Sequence, residues 1–281
     1  MSLLLSCSTP NSNSNPTIYV TITPLKSLVE EVTCGDFAVE IVVPEGASPE
    51  SFEPSARHIS QMSSAELVFE VGLINFEQSL IKHIANSDNL VDLSEGIEPM
   101  SGCCSHAHHS HHSHHSHGID PHIWTSPRTL RTMVANIERA VVERYPDSVK
   151  YRTAAHSLIE RIEALDDYCN KQIAESNAKS MMIYHPAYTY YARDYGIEQI
   201  AIEQEGKEPT PRQLTSLIER AKSEGINAIL IQPQYSIDKV AAIAEACGAE
   251  VITTNPLSED IIGEIERITH IICSYEPRDT H

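Results

Sequence analysis

A chain of 281 residues is long enough for two lobes with a core each, and its 20 Lys and Arg against 39 Asp and Glu leave a formal charge of -19. That balance argues against nucleic acid or an anionic bilayer as a surface partner and makes cations the natural ligands. No stretch reaches the roughly eighteen apolar residues of a membrane span, and seven cysteines do not make a disulfide scaffold at this length.

The chain starts MSLLLSC, and Leu4-Leu5-Ser6-Cys7 resembles a bacterial lipobox, in which the cysteine is lipidated. What precedes it is too short and too poor in Lys and Arg for a complete signal peptide, so residues 1–16 are expected to be a truncated lipoprotein signal and a polar linker. The plainer alternative is that Cys7 is a thiol in a tail. From Thr17, short apolar runs alternate with amphipathic stretches, the pattern of α/β layers. Ile18 to Ile22, Phe37 to Val43, Leu67 to Val71 and Leu90 to Leu93 read as strands, with helices at Leu25 to Val32 and Glu77 to Ala85. Cys34, Cys169, Cys247 and Cys273 sit among apolar residues and read as buried packing.

Eight of the fifteen histidines follow within Ser105 to Gly118: His106, His108, His109, His111, His112, His114, His115 and His117. Neutral imidazoles are good ligands for zinc, copper and nickel, and serine keeps such a segment soluble, so the run reads as a collector of metal ions in interchangeable arrangements. Cys103 and Cys104 beside it could add soft ligands. Ser126-Pro127 then predicts a helix start, with serine as cap and proline in the first turn, running to about Tyr145. Between Ser148 and Lys179 there is neither Gly nor Pro, and Leu158, Ile162, Leu165, Cys169 and Ile173 fall on one stripe. About thirty residues at 1.5 Å each span about 45 Å, enough for a rigid spine between two lobes.

Beyond the spine, Met181 to Tyr184, Gln199 to Ile202, Ala228 to Ile231 and Glu250 to Thr253 read as strands, separated by helices at Ala187 to Tyr195, Pro211 to Ser223 and Ile237 to Cys247. A last helix covers Ser258 to Cys273. The fold expected is α/β, two parallel-sheet lobes joined by one long backbone helix. Residues 17–146 form the first lobe, including the histidine-rich loop 103–118, residues 147–179 the connecting helix and residues 180–281 the second lobe. In open parallel sheets, ligand-bearing residues belong just past the carboxyl ends of strands. His185 stands there, directly after a predicted strand, and His122 lies in an Asp-Pro-His segment. Taken singly, each is more often a hydrogen-bonded structural residue than a ligand.

Six segments change that reading: PEGASPESFEP at 44–54, DPHIWTSP at 120–127, YHPAYTYYARDYGI at 184–197, EGKEPTPRQL at 205–214, IQPQYS at 231–236 and TTNPL at 253–257. In this order, with the histidine run directly before the second, the chain resembles the ABC-transporter substrate-binding proteins that take zinc or manganese. The resemblance implies two four-stranded lobes with a metal in the cleft between them. It puts His122 at the second ligand position and His185 at the third, where zinc binders use histidine and manganese binders glutamate. The physics agrees, since borderline-soft zinc accepts imidazole while manganese prefers oxygen.

At the first position, where the family has histidine, this chain has Glu50, a carboxylate that can ligate zinc or point to solvent. At the fourth, usually aspartate, it has Asn255, a weaker uncharged ligand. Water, Asn255, Glu203 or Glu205 are the candidates there, although the Glu203/Glu205 pair reads more readily as a solvated loop face, and His58 is a reserve ligand. The function implied is that of a periplasmic, lipid-anchored, monomeric receptor delivering Zn2+ to an ABC permease. The alternatives are a manganese, nickel or copper receptor, a zinc hydrolase, for which no H-E-x-x-H helix is present, or a zinc-binding adhesin.

Overall fold

The computed structural model describes residues 16–84, 88–102, 118–203 and 206–274. Cys7 with residues 1–15, the run from Cys103 to His117 with its eight histidines, Glu205 and residues 275–281 lie outside them. Among the described residues, eight strands form two four-stranded sheets, every neighbouring pair parallel. The first holds β1 (Thr17–Val20), β2 (Ala38–Ile41), β3 (Leu67–Glu70) and β4 (Leu90–Asp92) in the order β2-β1-β3-β4. The second holds β5 (Ser180–Ile183), β6 (Glu198–Ala201), β7 (Ala228–Ile231) and β8 (Glu250–Thr253) in the equivalent order β6-β5-β7-β8. Parallel neighbours need crossovers, supplied in the first sheet by α1 (Pro24–Val32), α2 (Ala56–Ser63) and α3 (Glu77–Ile84), and in the second by α6 (Thr189–Tyr195), α7 (Pro211–Ser223) and α8 (Asp238–Cys247).

Between the sheets run α4 (Pro127–Arg144) and α5 (Val149–Glu175), and α9 (Ile261–Ser274) follows the last strand. α5 has 27 residues, about 40 Å at 1.5 Å per residue. Its stripe faces inward: Leu158, Ile162, Leu165 and Cys169 are buried and Ile173 is partly so. It packs against α4, α1 and α9, which means that the spine touches an element of each lobe. Ser176 ends it sooner than the run without Gly or Pro suggested, because β5 already starts at Ser180.

Period-two alternation sorts the second sheet's side chains between two cores. Met181 and Ile183 join the large core that includes α4, α5 and the first sheet, while Met182 and Tyr184 face a smaller core closed by α7 and α8. Two local expectations need correction. Ser126 has the extended backbone of a cap but gives α4 no side-chain cap; its hydroxyl donates to Asp194 Oδ2 at 2.5 Å. Cys34 is exposed rather than packed, because the chain reverses at Thr33 to Gly35 to enter β2, with positive φ at Cys34 and Gly35 carrying its side chain outward. Cys169 is buried as expected, and Cys247 and Cys273 partly so.

Candidate metal centre

The ends of β5 and β6 position one candidate ligand, His185. Their register pairs Ile183 with Ala201, so His185 and Glu203, each two residues further on, emerge side by side, and Glu203 Oε1 lies 2.7 Å from His185 Nδ1. Gln232, just past β7, grips the backbone of His185 from the other side, donating to its carbonyl at 2.7 Å and accepting from its N–H at 3.3 Å. His185 is thus held in position at main chain and ring, and both it and Glu203 are buried.

His122 stands at the start of a short 3-10 turn, Ile123–Thr125, that leads into α4. Two residues earlier, Asp120 Oδ1 accepts from the His122 N–H and faces its Nδ1, both at 2.9 Å. Asp-Pro-His thereby folds into a compact holder for the ring. The Trp124 ring lies beside it, centroids 5.1 Å apart, and the indole N–H donates to the Pro256 carbonyl at 2.7 Å. Glu50 comes from the opposite wall, on the 3-10 turn Pro49–Ser51. Its Oε1 is 3.5 Å from His185 Nε2, and its side chain is 41% exposed, against 11% for His185.

Glu50, His122 and His185 each offer one ligand atom, all within 4.8 Å of one another. Both imidazoles turn Nδ1 to a carboxylate, which assigns a proton to each Nδ1 and makes Nε2 the atom that offers a lone pair when the ring is neutral. Those two Nε2 atoms face each other at 3.4 Å. As a hydrogen bond this is long; as two ligands of one ion it fits, since tetrahedral zinc at about 2.0–2.1 Å from each nitrogen sets them about 3.3–3.4 Å apart. A carboxylate behind each imidazole is also the usual outer support of a metal-bound histidine.

The charges agree with this arrangement. Burial alone pulls the His185 pKa down, but the Glu203 and Glu50 carboxylates outweigh it and raise the pKa to about 9. Burial pushes Glu50 up, and His185 and His122 more than offset this, leaving it below the ordinary carboxylate value. Asp120 is likewise held low against its burial, by the nearby His122 and by hydrogen bonds to it. The space enclosed by the three groups, closed by Tyr235 and Trp124, is about 30 Å³. It has room for an ion and a water and is far below the roughly 300–1,000 Å³ of an organic ligand's pocket. A larger cavity of about 350 Å³ lies at the far end of the second sheet, beside Lys179 and Asn227, away from these ligands.

Asn255 is not brought to this cluster. Its Oδ1 accepts from the Leu257 N–H at 3.2 Å, shaping the turn after β8, and the residue lines an adjoining cavity of about 520 Å³. Glu203 is not a solvated loop residue but the buried partner of His185, and as such it stands behind the ligand rather than beside it. His58 is occupied elsewhere: its Nδ1 accepts from the Ser55 N–H at 3.3 Å in a capping box at the start of α2. Of the three residues that hold the site, Asp120 and Gln232 carried no assigned role in the sequence reading, and Glu203 was named there only as a candidate fourth ligand or a solvated loop residue. The signal for Glu203 was there, in its equal offset from a strand parallel to that of His185.

A family described as ZnuA, zinc-uptake complex component A, periplasmic, matches residues 18–268. A crystal structure of ZnuA superposes with a TM-score of 0.82 at 27% identity, covering 93% of this chain and 99% of that one. A zinc-bound ZnuA carrying a deletion of its residues 138–173 gives a TM-score of 0.83 at 26% identity, covering 95% and 100%. The zinc-binding lipoprotein AdcA of Streptococcus pneumoniae is 26% identical over 268 residues, 90% of this chain and 52% of its own length, so the chain spans about half of that relative. With this match over most of its length, the same two-sheet fold and three clustered ligand groups, the chain belongs to the ZnuA family of metal-binding ABC-transporter substrate-binding proteins.

Proposed function

We propose that the chain is a periplasmic receptor that takes up one Zn2+ ion between its lobes and hands it to the membrane permease of an ABC transporter. The observation that carries this reading is the pair of Nε2 atoms held 3.4 Å apart by carboxylates on the far side of each ring. Two nitrogens and one carboxylate suit borderline-soft zinc better than manganese, and water takes the fourth position. Residues 17–146 and 180–281 serve as the two walls, with 147–179 as the joining helix. On the same reading the receptor is a monomer tethered through Cys7, and the histidine run raises the local zinc concentration without supplying a cleft ligand.

Competition titration of the whole chain with Zn2+, Mn2+, Ni2+ and Cu2+ tests it. One tight zinc ion is expected, and His122→Ala or His185→Ala should each weaken it by more than the roughly 10–100-fold that loss of an outer hydrogen-bond partner costs. Removing residues 103–117 should lower the number of weakly held ions and leave the tight one unchanged. A preference for manganese, or unchanged zinc affinity in either histidine variant, defeats the proposal.

A further inference from the structure

The segment from Asp120 to Ser126 leads from the first lobe into α4, yet three of its hydrogen bonds run to the second lobe. The Tyr190 hydroxyl donates to the Asp120 carbonyl at 2.9 Å and accepts from the Met100 N–H at 3.1 Å. Ser126 donates to Asp194 at 2.5 Å, and Trp124 donates to the Pro256 carbonyl at 2.7 Å. Tyr190 and Asp194 both belong to α6, the helix that starts four residues after His185. Both histidines therefore hang on one short element: His185 through the chain itself and His122 through Asp120. Tyr190 is the centre of this attachment, being fully buried and joining Met100 to Asp120 just where the backbone pairs Asp120 N–H with the Met100 carbonyl at 2.8 Å.

Glu50 has no such tie to α6. It rides on a 3-10 turn of the first lobe and reaches the site only with its carboxylate. A shift between the lobes would carry Glu50 away from the histidines while leaving their mutual distance unchanged.

We propose that His122 and His185 form a fixed two-nitrogen seat carried by α6, with Tyr190 as a positioning residue for it, and that Glu50 is the ligand which lobe motion engages and withdraws. This rests on the cleft being a zinc site. Zinc then lands on the histidine pair and leaves by way of Glu50, so Glu50 governs residence time rather than capture.

The test uses the whole chain, Zn2+ as probe, and Trp124, the single tryptophan of the sequence, as a fluorescent reporter beside His122. Tyr190→Phe removes one buried hydrogen-bonding group and is expected to weaken zinc binding about three- to tenfold, while the zinc-free protein stays fully folded at the assay temperature with a modestly lowered melting temperature. Ser126→Ala, at an independent point of the same attachment, should act in the same direction. If Tyr190 works through Asp120, adding Tyr190→Phe to Asp120→Asn should weaken binding no further. Glu50→Ala should speed zinc dissociation about tenfold or more, keep association within about twofold, and retain the Trp124 response. The inference is overturned by wild-type affinity in both Tyr190→Phe and Ser126→Ala, by additivity with Asp120→Asn, or by affinity falling only in step with melting temperature. It is equally overturned if Glu50→Ala slows association or abolishes the Trp124 response. A wild-type chain that takes up no zinc, or His122→Ala and His185→Ala variants that bind it as tightly as wild type, would instead overturn the receptor reading.

Discussion

Replacing Glu50 by glutamine keeps its size and removes its charge, so on the proposed chemistry zinc binding should weaken, by about tenfold in a competition titration. Glu50→His should bind zinc at least as tightly as the native chain, since imidazole suits zinc no less than carboxylate does. His185 gives the site a pH dependence of definite sign. Its pKa without metal is raised to about 9, so at neutral pH a proton occupies the position that zinc must take. Apparent zinc affinity should then fall by up to about tenfold for each pH unit below about 9, with proton release on binding measurable by calorimetry in buffers of different ionisation enthalpy. The same proton stabilises the zinc-free fold: its contribution is complete below the ordinary value of 6.5 and is lost as pH rises through about 9.

At the scale of elements, the α5 stripe is where periodicity and structure agree most closely. Leu158 is fully buried on it, and Leu158→Ala should cost about 2–5 kcal/mol in a denaturant titration while leaving the zinc-bound site geometry intact. Strands and helices were legible because period-two and helical patterns follow directly from which face is buried. His122 and His185 were legible from their motifs. Hydrogen-bond partners were not, because a side chain's destination depends on what the fold brings opposite it. Ser126 has the residue type and backbone of a cap, but Asp194, 68 positions away, competes for its hydroxyl. Glu203 looked like a solvated loop residue until parallel pairing set it against His185. Asn255 had a position resembling a ligand's, and the local demands of its own turn took the amide oxygen.

At the scale of the whole molecule, the large core runs without a break from Ile18 in the first sheet through α5 to Ile272 near the end of the described chain. Met181 and Ile183, from the second sheet, belong to it too. The helix that joins the lobes is thus a shared wall of their interior, and neither lobe can lose its packing without exposing apolar surface of the other. Scanning calorimetry should accordingly find one cooperative transition, with calorimetric and van't Hoff enthalpies equal, in place of the two steps expected of independently folding domains. Zinc at a hundred times its dissociation constant should shift that single transition upward as a whole, through about 2.7 kcal/mol of linkage. A cell that makes such a chain would have to complete both halves before either is secure from proteolysis, and on the proposed function the bound metal would also guard the fold that the two described halves share.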